Sequence, residues 1–344
     1  MKRNHDARAS RRQFVLGMAG VCAAPLLVAC AGPAGGSKSI SVGALFAGRI
    51  DDHGFMEAGW RGLERARAKF GIKTHYIDAV QPKKEQLAEA LTRLAGSGVD
   101  LVIAHGGQNN EACVEVAAKF PQIKFVVTQG AVTGANLASY EVLQEESAYL
   151  AGVLAALSTR SGVVGHMSGI RVRPGLKGRA AYAAGVRATN PDVRLLSNFS
   201  GNQDDNALSR RVAAAQIAAG ADVIFTMLNA GRDGVTQACR DAGVRQIGNV
   251  VDWVAVDPRV FVGSAIADVG IGVFETVRDA QQGAFPAAQV RKVGLANPRA
   301  VRLSMAPDVA AAIQARIAGV ADDIKSGRVK VPEDYAGAEF PTPS

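Results

Sequence analysis

The sequence predicts an α/β protein built as two similar lobes, each a parallel sheet flanked by helices, with a cleft between them. Two observations lead there. From Ser39 onward, short apolar runs rich in β-branched residues alternate with amphipathic helical segments, and the whole pattern then returns a second time. A third observation agrees: the 344 residues are 48% hydrophobic, 20% charged and 6% aromatic, a globular balance at a length that suits two domains.

In the first half, Val42 to Phe46, Thr74 to Ile77, Leu101 to Ala104 and Phe125 to Thr128 read as buried strands, too short to be helices. Between them Phe55, Gly59, Leu63, Ala66 and Phe70 keep helical spacing, as do Leu87, Leu91 and Leu94. A strand, a helix and a strand in succession imply parallel pairing through a crossover. In the second half Gly162 to Met167, Val193 to Phe199, Ala221 to Thr226 and Gln246 to Val250 are strand-like in the same way. The repeat extends to letters: Gly98, Val99, Asp100, Leu101, Val102, Ile103 matches Gly220, Ala221, Asp222, Val223, Ile224, Phe225.

The chain is then expected to return to the first lobe through strand Val260 to Ala265 and helix Gly270 to Gln282, and to cross back with Arg302 to Met305 and the last helix. On this reading residues 39–142 with 267–290 form the first lobe, 143–266 with 291–330 the second, and 331–344 a tail. Sheets of this class bind ligands outside the carboxyl ends of their strands. That singles out two polar turns, His105 to Asn110 with Gly107 and Asn109, and Leu228 to Gly234 with Asn229 and Gly231. These residues either present N–H groups and amides to a neutral solute or simply make tight turns.

The amino terminus reads as an address. Arg11 and Arg12 precede an apolar run, Phe14 to Val28, that is too short and wrongly flanked for one of several membrane spans. The pair resembles a twin-arginine signal, and Leu27, Val28, Ala29, Cys30 looks like the lipobox at which bacterial lipoproteins are cleaved and acylated. Residues 1–29 are therefore expected to be a signal peptide, and 30–38 a lipidated Cys30 with a flexible tether. Half of the net charge of +8 falls in this segment, and the near balance that remains gives no ground for nucleic-acid binding. Cys113 and Cys239, in apolar helical stretches, read as buried thiols.

Several stretches in order resemble the basic membrane protein, or PnrA-like, family of bacterial substrate-binding lipoproteins. They are Asp51 to Phe55, Ala148 to Gly152, Gly162 to Gly165, Gly201 to Asp205, Gly220 to Phe225, Ile247 with Gly248, and Gly263 with Ser264. The resemblance spans about residues 40 to 330. It implies a type I periplasmic binding protein fold, a ligand cleft between lobes, and delivery of a purine nucleoside or nucleobase to ABC permease subunits. It also implies a lipid-anchored protein on the periplasmic side of the cell envelope, without enzymatic activity or cofactor. A monomer is expected.

Carried over residue by residue, the resemblance makes Asp52, Phe55, Asp205 and Ser264 candidate contacts. Phe55 either stacks on a base or staples its helix; Asp205 either meets the ligand or caps the next helix. Gln203 stands where the family carries a second aromatic, so Trp253 is a candidate replacement for that face, or a packing residue. Asp252 is the hydrogen-bonding candidate after the strand ending at Val250, displaced from the family position near Asn249. Ala267 takes the place of a common lysine, and Met56 that of a common asparagine. These departures favour a free base or a differently held sugar.

Other chemistry finds less support. The histidines show no metal-ligand spacing, so no metal is expected. His166 and Ser168 share a strand face, but no orienting acid is identifiable, which leaves a nucleoside-acting enzyme as the weaker alternative. A ligand-binding sensor presenting its loaded form to a membrane receptor is another alternative. Arg171, Arg173, Lys177 and Arg179 read as a solvated basic face, or as a docking surface.

Overall fold

The computed structural model describes residues 39–341. The signal, Arg11, Arg12, Cys30 and the tether up to Lys38 lie outside the described residues.

The first lobe opens with β1 (Ser41–Phe46), α1 (Phe55–Phe70), β2 (Lys73–Ile77), α2 (Lys84–Gly96), β3 (Leu101–His105), α3 (Asn110–Lys119), β4 (Lys124–Thr128) and β5 (Leu137–Val142). The second follows as α4 (Gln144–Ser158), β6 (Val163–Ser168), α5 (Arg173–Thr189), β7 (Arg194–Phe199), α6 (Asn206–Ala218), β8 (Val223–Met227), α7 (Arg232–Ala242), β9 (Arg245–Val250) and β10 (Phe261–Ala267). The chain then runs through α8 (Gly270–Gln281), β11 (Val290–Val293), β12 (Val301–Met305) and α9 (Ala311–Lys325).

Two six-stranded sheets result, ordered β11-β5-β4-β3-β1-β2 and β12-β10-β9-β8-β6-β7. Pairing is parallel except that β12 runs antiparallel to β10. The apolar runs are buried because helices cover both faces: Val42, Ala44, Leu45 and Phe46 in β1 are all fully buried, as are Leu101, Val102, Ile103 and Ala104 in β3. Phe125 and Phe225 anchor the two cores. Cys113 and Cys239 are buried and free, and burial pushes both thiols up to about 12.

Four expectations change. Strand β10 pairs with β9 and stays in the second sheet, so the return to the first lobe comes after Ala267. Strand β11 pairs with β5 in the first sheet through Val293, whereas the chain was expected to leave that lobe at 290. Strand β5 itself was not anticipated, because Leu137 to Val142 carries Ser139 and Glu141 among its apolar residues and lacks a clean apolar run. The basic cluster is not wholly a solvated face: Lys177 and Arg179 are buried, with partners from β5, α4 and the tail, while Arg171 stays exposed. Lys177 Nζ lies 2.8 Å from Glu141 and 3.1 Å from Glu333 and also meets Glu145, while Arg179 Nη1 lies 2.6 Å from Glu339.

Helices α4 and α5 touch where glycines allow it. A side chain at Gly152 would overlap the carbonyl of Tyr182, and one at Gly185 that of Tyr149, so the two backbones approach reciprocally. The His166 and Ser168 side chains do meet, at 3.1 Å, but deep in the core. The second ring nitrogen of His166 faces the Ser197 hydroxyl at 3.0 Å, and burial lowers its pKa to about 3. The pair is a neutral hydroxyl–imidazole network with no carboxylate hydrogen-bonded to it. Among the described residues, no helix is long and apolar enough to cross a membrane.

Candidate functional site

The carboxyl ends of the strands from both sheets converge on a cleft of ≈ 520 Å³, within the range of small-molecule sites. The first lobe contributes the loop after β1 with Phe55 and Met56, the loop after β2 with Val80, Gln81 and Pro82, and Gln108 after β3. The second contributes Val172 and Pro174 before and within α5, Asn202, Gln203 and Asp204 after β7, Met227 and Asn229 at the end of β8, and Asn249 in β9. Gln144, where the chain passes from β5 to α4, also lines it.

Phe55 is held from behind. Its ring stacks on His105 with centroids 4.5 Å apart and planes 30° from parallel. His105 Nε2 donates to the Phe55 carbonyl at 3.0 Å, which fixes the tautomer, so Nδ1 accepts from the Thr128 hydroxyl at 2.7 Å. Complete burial lowers the His105 pKa to about 4, and the imidazole is neutral at physiological pH. A fixed aromatic wall on an uncharged support follows.

The polar groups facing this wall are almost all carboxamides. Among the described residues, the side-chain amides of Gln81, Gln108, Asn229 and Asn249 have no protein hydrogen-bond partner, which leaves both donors and acceptors to a solute. The charges at the rim are already engaged. Arg49 makes a two-pronged pair with Asp51 at 2.8 and 2.7 Å, and Asp204 accepts from the Ala230 N–H at 3.2 Å. The cleft is thus suited to a flat, uncharged solute with hydrogen-bonding edges.

Of the residues expected to meet a ligand, the cleft brings together Phe55, Asn229 and, from the turn His105 to Asn110, Gln108. The others do different work. Asp52 accepts from the N–H groups of Gly54, Met56 and Glu57 at 2.9, 2.9 and 3.0 Å, so its buried carboxylate caps α1. Burial raises the pKa of Asp52, and these three N–H bonds oppose that rise. Asp205 caps α6 through the Leu208 N–H at 2.9 Å and is exposed. Asn109 is fully buried and donates to the carbonyls of His105 and Gly106, within the short turn Gly107–Asn109. Gly231 forms the start of α7, its N–H bonded to the Gln203 carbonyl at 3.0 Å.

Three candidates from the end of the second sheet point elsewhere. Ser264 Oγ accepts from the N–H groups of Trp253 and Val254, at 2.9 and 3.2 Å, and so fixes the turn after β9. Trp253 is nearly buried and its indole donates to the Asn249 carbonyl at 3.0 Å. Asp252 accepts from Ser304 Oγ at 2.7 Å. Both Asp252 and Trp253 line a second cavity, of ≈ 540 Å³, together with His53, Gly54 and four arginines, Arg61, Arg65, Arg299 and Arg302. Gln81, Gln144 and Asn249 were not anticipated as cleft residues, and a signal for Asn249 existed: it is the last residue but one of β9, the strand at whose end a ligand contact was sought.

Known proteins resemble this chain both in sequence and in fold. A nucleoside-binding protein BmpA of an ABC transporter from Lactococcus lactis is 22% identical over 82% of this chain and 86% of its own length. A purine-binding protein from Brucella abortus is 23% identical over 70% of this chain and 68% of its own. The crystal structure of an ABC transporter solute-binding protein from Aeropyrum pernix shares the fold with a TM-score of 0.77, at 22% identity over 86% of this chain and 94% of that one. The family model for the PnrA-like ABC transporter substrate-binding protein matches residues 39–335, and the chain belongs to that family.

Proposed function

We propose that the interlobe cleft binds a purine base or purine nucleoside, which the protein delivers to ABC permease subunits. The observation that supports this reading is the pairing of one fixed aromatic wall, Phe55 on neutral His105, with a lining of unpartnered carboxamides. Stacking on Phe55 contributes about 1 kcal/mol, and amides match the donor and acceptor edge of a purine without demanding charge. Names of relatives from Lactococcus lactis and Brucella abortus, a nucleoside-binding and a purine-binding protein, point the same way.

The disposition of the carboxylates favours the free base over the nucleoside. Asp52 is consumed by a helix cap, Asp205 by another, and Asp252 lies in the second cavity, which leaves the sugar hydroxyls only amides and Asp204. The proposal includes export and anchoring through acyl chains on Cys30, on the periplasmic side of the envelope.

A thermal-shift panel of purine bases, nucleosides, sugars and amino acids tests the substrate class. A bound purine at a hundred times its Kd raises stability by about 2.7 kcal/mol. A panel in which sugars or amino acids shift the midpoint and no purine does would overturn the reading. For the anchor, Cys30→Ala should move the protein from the membrane to the soluble fraction.

A further inference from the structure

Arg232 occupies an unfavourable place for a cation. It is the first residue of α7, where the helix dipole is positive, and only 2% of it is exposed. Its guanidinium carbon lies 3.4 Å from the centre of the Trp253 ring, and Nη2 pairs with Asp233 at 2.9 Å. Nη1 reaches two carbonyls, His53 at 3.4 Å and Asn229 at 3.5 Å, while Nε is buried without a partner. Burial lowers the affinity of this guanidinium for its proton, and Asp233 and Asp52 oppose that.

These partners come from both lobes. Trp253, Asp233 and Asn229 belong to the second; His53 and Asp52 sit in the loop between β1 and α1 of the first. His53 adopts a left-handed backbone, with φ of 48°, and the next residue, Gly54, lies beside the second lobe, where an added Cβ would make an ordinary contact of 3.6 Å with Asn229 Cα. Phe55 follows directly. One side of this seam faces the cleft through Phe55 and Asn229; the other faces the second cavity through His53, Gly54 and Trp253. Arg232 fills the partition. Separating the lobes there would strip it of the His53 carbonyl and the Asp52 field and admit water.

We propose that Arg232 is a positioning residue for solute capture: it clamps the Phe55 loop to the Asn229 loop across the seam and seals the cleft from the cavity behind it. The clamp rests on the solute-binding reading of the cleft, yet part of it is measurable without any solute. Arg232→Met keeps the length and removes the fork, and Arg232→Lys keeps the charge. In Arg232→Met, amide hydrogen exchange of residues 53–56 and 229–231 in the ligand-free protein should accelerate by about tenfold, with α2 and α6 unchanged. For adenine, hypoxanthine and inosine, whichever the wild type binds, dissociation should quicken by about tenfold with little change in association, and Arg232→Lys should recover part of that loss. With Trp60→Phe as background, Trp253 emission should change in Arg232→Met. Unchanged exchange at the seam in a folded Arg232→Met protein overturns the clamp whether or not a purine binds. Unchanged dissociation overturns its role in capture. Should Arg232→Met fail to fold, the same two measurements on Arg232→Lys decide, with wild-type behaviour in both counting against the clamp. A wild type that binds none of the three purines bears on the substrate reading alone, and leaves the exchange result to judge the clamp.

Discussion

The two lobes repeat one topology and differ in what they bring to the cleft. Each has a buried histidine on a central strand, His105 in β3 and His166 in β6, and each imidazole bonds a hydroxyl on a neighbouring strand. In the first lobe the other ring nitrogen holds the Phe55 carbonyl and the ring backs Phe55, so the histidine serves the site. In the second it meets Ser168, and the histidine serves the core. The first lobe therefore supplies the aromatic wall together with the amides of Gln81 and Gln108, whereas the second lines the cleft with amides, among them Gln203, Asn229 and Asn249, and, among the described residues, with no aromatic side chain. The fold fixes where a contact can be made, at the carboxyl ends of strands, and leaves its chemistry to individual side chains.

The largest expected effect tests what the lobes share. Burial depresses the pKa of His105 to about 4 and of His166 to about 3, below the ordinary value of 6.5 that the unfolded chain recovers. Between those values the unfolded state binds more protons, so the stability from the two neutral rings is complete above about pH 6.5 and is lost as pH falls. From pH 7.5 to pH 5 the loss should be about 2 kcal/mol for each ring, about 4 kcal/mol together. Urea unfolding at the two pH values measures it. His166→Gln should remove its half of the pH dependence and leave solute affinity intact, whereas His105→Gln should also weaken binding through Phe55.

Removing the aromatic wall comes next. Phe55 is only half-buried and stacks on His105 at the edge of both cores, so Phe55→Ala should weaken solute binding by about 1 to 3 kcal/mol with a small change in apo stability. Calorimetric titration alongside thermal unfolding separates the two. A large loss of stability at unchanged affinity would make Phe55 a core residue and leave the first lobe without a ligand contact.

How much of this was legible in the sequence follows from what carries periodicity. Strands such as Val42 to Phe46 and Leu101 to Ala104 announce themselves because both faces are covered, and α1 because its apolar positions recur on one face. Strand β5 was hidden by Ser139 and Glu141: the Ser139 hydroxyl donates to the nearby Val132 carbonyl, and Glu141 pairs with Lys177, which lies far along the chain. The basic stretch at α5 misled for the same reason, since Glu333 and Glu339 reach it from the tail. Phe55 was reached through the family resemblance and Asn229 through its place in a strand-end turn, and both line the cleft. Asp52 and Asp205 were not readable as ligand contacts, because an acid before a helix serves as a cap by purely local geometry. Besides Phe55, the residues carried over from the family resemblance, Asp52, Asp205 and Ser264, serve caps and a turn.

The amide wall of the second lobe gives a smaller effect. Asn249→Asp would place a carboxylate where the structure shows only a largely buried, unpartnered amide, and a neutral solute cannot compensate its desolvation. Binding should weaken by about 1 to 2 kcal/mol and recover as pH falls through the carboxylate range. An unchanged affinity would mean that solute does not touch β9.

The smallest effect decides between the two cavities, which have nearly equal volumes, ≈ 520 and ≈ 540 Å³. Size does not choose between them; free chemistry does. The second is lined by charge: Arg65 pairs with Asp268 and Arg61 with Glu57, Arg302 donates to the Pro298 carbonyl, and the Arg299 guanidinium has no carboxylate partner among the described residues, so this cavity suits a charged solute and not a neutral base. Asp252 faces this cavity, and its hydrogen bond to Ser304 survives replacement by an amide oxygen. Asp252→Asn should therefore change purine affinity by less than about 0.5 kcal/mol, the scale of a substitution remote from the bound solute. A tenfold loss on titration would show that the acid reaches the solute, and would move the site from the amide-lined cleft toward the seam that Arg232 occupies.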